Sequence, residues 1–304
     1  MANLSMNEPS KIGLAAFLLM VLCLSHHAHA QQSTAAPTVN LASDESDPAL
    51  ASDTSDAASD SATALAKKLQ NPIGNLYSIP FQSNTNFGYG PNKGTQEILN
   101  IQPVIPTHLD DNWNLITRVI LPLIWQPSLA PAHTVPFGIG PTSFSAFISP
   151  SQRRNGIVWG AGPIFQLPTI TSKTLGSSVW GVGPTGVVVY MTGPIVAGAL
   201  SNNVWSLGGT SGKNGTRYDN FLLQPFANYN FGGGWYVGTA PIITANWLAR
   251  GNNAWTLPLG GYAARVIKIG GKLPINLQAG AYANVLRPRY GATWQFRTQA
   301  TFIF

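Results

Sequence analysis

The last thirteen residues, Ala292 to Phe304, constrain the fold more than any other stretch of the chain. Taken alternately, Ala292, Trp294, Phe296, Thr298, Ala300, Phe302 and Phe304 fall on one side, and Thr293, Gln295, Arg297, Gln299, Thr301 and Ile303 on the other. A period of two with one apolar and one polar face is a β-strand between two different surroundings. A strand that shows one face to hydrocarbon must satisfy its backbone in a closed sheet, because a membrane offers an open edge no water.

The strand ends on Phe304, and in this it resembles the closing strand of bacterial outer-membrane barrels, whose final Phe is read by the barrel-assembly machinery. The expected fold class is therefore all-β: an antiparallel transmembrane β-barrel of the outer-membrane type, with Phe304 as the assembly signal. The start of the chain agrees. Lys11, the apolar run from Ile12 to Leu24 and Ala28-His29-Ala30 make a secretory signal peptide over residues 1–30. That run is too short to cross about 30 Å of hydrocarbon as a helix. Cys23, the sole cysteine, lies inside it, and Met20-Val21-Leu22 lacks the small residues of a lipoprotein site. Cleavage after Ala30 leaves no thiol, which excludes disulfides, Cys-ligated metals and thiol catalysis.

Residues 31–60 are Ala, Ser, Thr and Asp with no aromatic, and carry Asp44, Glu45, Asp47, Asp53, Asp56 and Asp60. Such a composition buries too little apolar surface to offset ordering, so a disordered acidic periplasmic lead is expected. Residues 61–75 read as a short helix and a lead-in segment, with Leu65 and Leu69 on one side and Pro72 as the stop. The barrel is expected over 76–304.

Across that span, β-branched, aromatic and small residues recur in runs closed by Gly, Pro, Asn or Ser. Twelve such segments fall at about 76–89, 95–106, 113–126, 138–149, 156–168, 178–191, 194–207, 217–231, 235–248, 254–269, 273–286 and 292–304. An even number places both termini on one side, expected to be periplasmic. The long connections 127–137, 169–177 and 208–216 then face outward, and the short turns 192–193 and 232–234 inward. Trp113 and Trp125 bracket one segment and Trp235 and Trp247 another, while Trp159, Trp180, Trp205, Trp255 and Trp294 also fall near segment ends, as in aromatic girdles. Pro103, Pro122, Pro163, Pro184, Pro225, Pro241 and Pro258 sit inside proposed strands and predict repeated bulges or kinks.

Within 71–304 there are fourteen Lys and Arg against Glu97, Asp110, Asp111 and Asp219, a net of ten positive charges. Lys93, Lys173, Lys213, Arg217, Arg250, Arg287 and Arg289 lie on or beside the outer loops, where outer-membrane lipid and lipopolysaccharide phosphates are the expected partners. Export and dispersal of the charge exclude nucleic acid. Alternation turns Asn100, Gln102, Arg118, Gln224, Asn228, Asn276, Gln278, Tyr282, Gln295 and Arg297 toward the lumen, an interior of amides with a few cations.

No catalytic, cofactor-binding or metal residue is expected. His108 beside Asp110 and Asp111 reads as a polar turn before Trp113, and His133 lies in a proline-rich loop with no acid near it.

Asn71-Pro72-Ile73-Gly74-Asn75-Leu76, Pro80-Phe81-Gln82, Asn100-Ile101-Gln102-Pro103-Val104-Ile105-Pro106, Trp113-Asn114-Leu115-Ile116-Thr117-Arg118 and Leu223-Gln224-Pro225-Phe226 occur in that order. Together they resemble a bacterial outer-membrane barrel family often mislabelled "neuromedin U", similar to barrels associated with the phenol meta-cleavage pathway. The resemblance covers about 65–304. It implies a transporter-like barrel for aromatic compounds and carries over no site residue. Where relatives tend to have Gly-Asp-Thr, this chain has Gly140-Pro141-Thr142, so that acid is absent. The expected function is a passive outer-membrane channel or transporter for small solutes, aromatic or hydrophobic ones included. The alternative is a non-conducting structural barrel that engages lipopolysaccharide or a partner through its basic outer loops.

Overall fold

The computed structural model describes residues 60–128, 137–209, 217–270 and 273–304. The expected signal peptide, the acidic lead except Asp60, and His133 and Lys213 lie outside the described residues.

Twelve antiparallel walls follow one another around a closed sheet. In chain order they are β1 (Ser78–Tyr89), β2 (Gly94–Ile101 and Val104–His108), β3 (Trp113–Trp125), β4 (Phe137–Ile139 and Thr142–Pro150), β5 (Ile157–Leu167) and β6 (Gly181–Thr192). There follow β7 (Ile195–Ser206), β8 (Asp219–Gly232), β9 (Trp235–Thr239 and Ile243–Asn246), β10 (Trp255–Ile269), β11 (Leu273–Leu286) and β12 (Trp294–Ile303). Each wall pairs with the next, and β12 pairs with β1 from Ser78↔Ile303 to Phe87↔Trp294. Closure leaves no open edge. Among the described residues no helix is long and apolar enough to cross a membrane.

Alternation sorts the two sides of the wall. On β12, Arg297, Thr301 and Ile303 are 2–4% exposed, whereas Trp294 is 43% exposed. All nine tryptophans are exposed, together with Ile148, Val188, Val237 and Leu259 from mid-wall, which would be costly in water and suits hydrocarbon. The indoles form two belts. Trp113 meets Trp159 edge-on at 6.0 Å toward the end holding the termini. At the other end Trp247 meets Trp255 at 5.3 Å, and Trp294 stacks on Phe87 at 4.1 Å. Ala292 departs from the alternation: it is buried, because β12 begins only at Trp294 and the Ala292 carbonyl accepts a 2.8 Å hydrogen bond from Asn284.

The prolines expected to mark bulges or kinks act in more than one way. Three walls are interrupted, at 102–103, 140–141 and 240–242, and a proline lies in each gap. Of the seven singled out, Pro258 sits at a register shift, and Pro122 lies across another, where the pairing slips by one residue between Leu123↔Ile139 and Ile120↔Ser143. Pro163 and Pro184 instead pair with each other across β5 and β6 with their rings exposed. The glycine before each turns inward, where a Cβ would strike a neighbouring backbone oxygen, Ala146 O at 1.8 Å from position 162 and Asn203 O at 1.6 Å from position 183. Glycine thus permits a close approach that proline, lacking an N–H, does not bridge.

The short helix, α1, spans 60–69 and lies inside the barrel. Ala66 is fully buried against Tyr236, Ala264 and Val266, flanked by Leu65 and Leu69. Gln70 and Asn230 exchange side-chain hydrogen bonds of 2.9 and 3.2 Å, and Gly234 N donates to Thr63 Oγ1 at 3.4 Å. Past Pro72, Ile73 inserts into a cluster of Ile116, Phe147, Val158, Val187, Val189, Val196 and Leu200, the inward apolar side chains of β3 to β7. The lumen is therefore filled with apolar packing on that side.

Candidate solute site in the barrel lumen

The remaining sector of the lumen, from β8 round to β2, keeps polar side chains. Between them and the lead-in segment lies a cavity of about 170 Å³. Its lining includes Lys68, Gln82, Gln102, Arg118, Gln224, Asn228, Asn276, Gln278, Arg297, Gln299 and Thr301, with Val104, Leu200, Phe226, Tyr236 and Tyr262 as its apolar part.

Period-two amides on β1 tie the walls together. Arg118 Nη2 donates to Gln102 Oε1, Gln102 Nε2 to Gln82 Oε1 at 3.3 Å, and Gln82 Nε2 to Asn84 Oδ1 at 3.1 Å. Asn84 Oδ1 also accepts from Arg297 Nε at 3.1 Å, so one chain of hydrogen bonds joins the two guanidiniums across β3, β2, β1 and β12. A second chain leaves Arg297 through Gln295 at 2.8 Å, then Asn86, Gln96 and Gln126. Buried amides that are fully satisfied in this way hold one arrangement.

Two of the proline gaps serve these arginines. In β9 the gap frees the Ala240 carbonyl, which accepts from Arg297 Nη1 at 2.8 Å, while Ala240 N donates to Tyr282 Oη at 3.3 Å. The Tyr282 ring lies 4.5 Å from the Arg297 guanidinium carbon, a cation–π contact. In β2 the gap carries Gln102, the acceptor for Arg118. The Arg118 Nε is shielded from solvent and has no hydrogen-bond partner. Farther round the same polar sector Tyr236 donates to Asn276 at 3.0 Å and Tyr262 to Asn228.

Of the residues assigned to the lumen from alternation, Gln102, Arg118, Gln224, Asn228, Asn276, Gln278 and Arg297 line the cavity. Tyr282 and Gln295 are inward partners of Arg297, and Asn100 is in register with the inward Gln82. Sequence reasoning missed Gln82, Asn84, Asn86 and Gln96, although Gln82-x-Asn84-x-Asn86 displays the signal, and it missed Lys68, whose place depends on the docking of α1. Lys93, Lys173, Arg217, Arg250, Arg287 and Arg289 gather at the end opposite the termini. Arg289 there lies 5.3 Å from the Tyr290 ring.

His108 Nδ1 lies 3.2 Å from Asn114 Oδ1, and Asp110 Oδ1 accepts from Asn112 N and Trp113 N at 2.8 and 2.9 Å, an ordinary turn. Among the described residues no cluster of His, Cys, Asp and Glu could hold a metal ion.

No protein-family model matches this sequence, and no curated protein matches it. Among solved structures the chain is similar to the crystal structure of an outer-membrane channel from Pseudomonas putida F1, with a TM-score of 0.56 and 16% identity over 75% of this chain and 94% of that one. The NanC porin gives 0.48 and 7% identity over 74% and 98%. The KdgM porin, solved in complex with disordered oligogalacturonate, gives 0.40 and 10% over 75% and 99%. The family resemblance read from short strings thus holds at the level of the fold: this chain is a twelve-stranded barrel of the outer-membrane type.

Proposed function

We propose that the chain is a passive outer-membrane channel for small solutes, oriented with its termini in the periplasm. The observation that carries this reading is the divided lumen. One sector is packed solid, while the other keeps amides and two arginines around an unfilled cavity of about 170 Å³. A barrel that served only as a scaffold would gain from continuing the apolar packing, since each buried unpaired charge costs several kcal/mol. Helix α1 and Ile73 occupy the lumen, so conduction requires that 60–76 shift or leave. Its polar contacts to the wall include those of Gln70 with Asn230 and of Thr63 with Gly234. The Pseudomonas putida neighbour, an outer-membrane channel, agrees with this reading. Aromatic or hydrophobic solutes, as the family resemblance implies, would find Leu200, Phe226, Tyr236 and Tyr262 on one side of the cavity. Nothing in the site assembles chemistry for an enzyme.

The second reading, a non-conducting barrel that engages lipopolysaccharide phosphate, rests on the six basic residues gathered at the far end and on the occupied lumen. Purified full-length protein in planar bilayers separates the two. Reproducible current steps, enlarged by Ile73→Asp, support the channel. Silent bilayers with both proteins leave the structural barrel.

A further inference from the structure

We propose that the lumen cavity binds a small organic monocarboxylate, with its carboxylate on Arg118 and its apolar body against Leu200 and Phe226. This names the solute class of the channel and so rests on that reading.

The charge balance comes first. Lys68, Arg118 and Arg297 line the cavity, and none of the described carboxylates does. Glu97 lies on the outward side of β2, where Thr85 Oγ1 donates to it at 2.5 Å and Ser83 also donates. Asp110 and Asp111 belong to a turn, Asp219 begins β8 and accepts from Asn203 at 2.8 Å, and Asp60 begins α1. Cations shut inside a wall without a counter-charge favour the arrival of an anion.

The two arginines are not equivalent. Arg297 already donates from Nε, Nη1 and Nη2 and carries the Tyr282 ring, so its role is to hold the wall. Among the described residues Arg118 donates to Gln102 alone; its Nε has no partner but is shielded from solvent, so a ligand in the cavity meets the guanidinium at its terminal nitrogens. A guanidinium with free donors is the side chain best suited to a bidentate grip on a carboxylate. Gln224 and Gln278 line the same cavity and make no hydrogen bond to another side chain among the described residues, which leaves their amides for the ligand.

Size and the opposite lining choose the body. An apolar cavity of about 150 Å³ is enough for benzene. At about 170 Å³, with Leu200, Phe226 and Val104 in its lining beside the polar residues, this cavity fits one ring or a short branched chain carrying one carboxylate.

The test is calorimetric titration of the full-length protein in detergent with benzoate, benzyl alcohol, acetate and inorganic phosphate. Benzoate is expected to bind saturably, and benzyl alcohol and phosphate at least about tenfold more weakly, because only benzoate satisfies both the charged and the apolar lining. Arg118→Gln should weaken benzoate by about tenfold and leave benzyl alcohol unchanged, as expected for loss of one charge-assisted pair. Phe226→Ala should weaken benzoate several-fold and leave acetate unchanged. Heat-modifiable mobility on gels identifies the folded variants. Equal binding of benzoate and benzyl alcohol, phosphate equal to benzoate, or benzoate affinity unchanged in either folded variant overturns the proposal. Binding is measured at equilibrium, so it does not depend on conduction. Benzoate binding by a protein silent in bilayers breaks the channel and keeps the site; conduction with no benzoate binding does the reverse.

Discussion

The lumen has two sectors that obey the same alternation and do opposite things with it. From β3 to β7 the inward positions are Ile116, Phe147, Val158, Val187, Val189, Val196 and Leu200, and they close on Ile73 as a solid core. From β8 round to β2 the inward positions are Asn228, Asn230, Asn276, Arg297, Thr301, Gln82, Asn84, Asn86 and Gln96, and they bond laterally along the wall. Apolar side chains gain only by covering one another, so this sector recruits Ile73, while Tyr236, Ala264 and Val266 of the other sector hold α1. Amides are satisfied within the wall by their neighbours, so their sector can leave space. Solid packing and open space are thereby assigned to different arcs of one ring.

That division can be broken from either side. Phe147→Ala is expected to have the largest effect, about 3–5 kcal/mol in urea unfolding of the folded barrel, because Phe147 lies at the centre of the packed arc. A loss below about 1 kcal/mol would mean that the packed sector does not carry the stability. Ile73→Ala should weaken docking of the lead-in segment by about 2–5 kcal/mol while leaving the wall intact. Faster proteolysis near residue 73 with unchanged heat-modifiability is the expected result, and equal loss of both would mean plug and wall fold as one unit. Gln82→Ala, in the polar arc, strands the Gln102 amide and should cost about 1–3 kcal/mol in the same urea experiment. Gln70→Ala removes both bonds to Asn230 and should shift docking by only about 1 kcal/mol, seen as a modest rise in bilayer current.

Residue chemistry explains what could be read in advance. β12 alternates from Trp294 to Ile303 with only Thr298 and Ile303 out of pattern, and the tryptophans mark strand ends, so the wall and its two sides are legible. On β6, Val187-Val188-Val189-Tyr190 is apolar at every position, and nothing in it tells in from out. The packed sector was hidden for that reason. The proline gaps were visible as residues but not as devices, since Ala240 meets Arg297 only when walls distant in sequence are brought together. A ten-residue amphipathic helix at 60–69 likewise does not announce whether its apolar side will meet a partner, a lipid surface or the inside of its own barrel.

The seam between β1 and β12 sets the order in which this molecule can be made. Its pairs join residues more than two hundred positions apart, as in the Arg297 to Asn84 bond with a separation of 213. Contacts of such long range are slow to form, because the intervening loop must be closed before they contribute. Until Trp294–Ile303 arrives at Ser78–Tyr89, both strands are open edges with unpaired amides and apolar rings. The cavity depends on the same event: Arg297, whose carbonyl partner Ala240 also borders it, takes its place only when the ring shuts. A chain arrested one strand short would therefore be an aggregation-prone ribbon rather than a leaky pore.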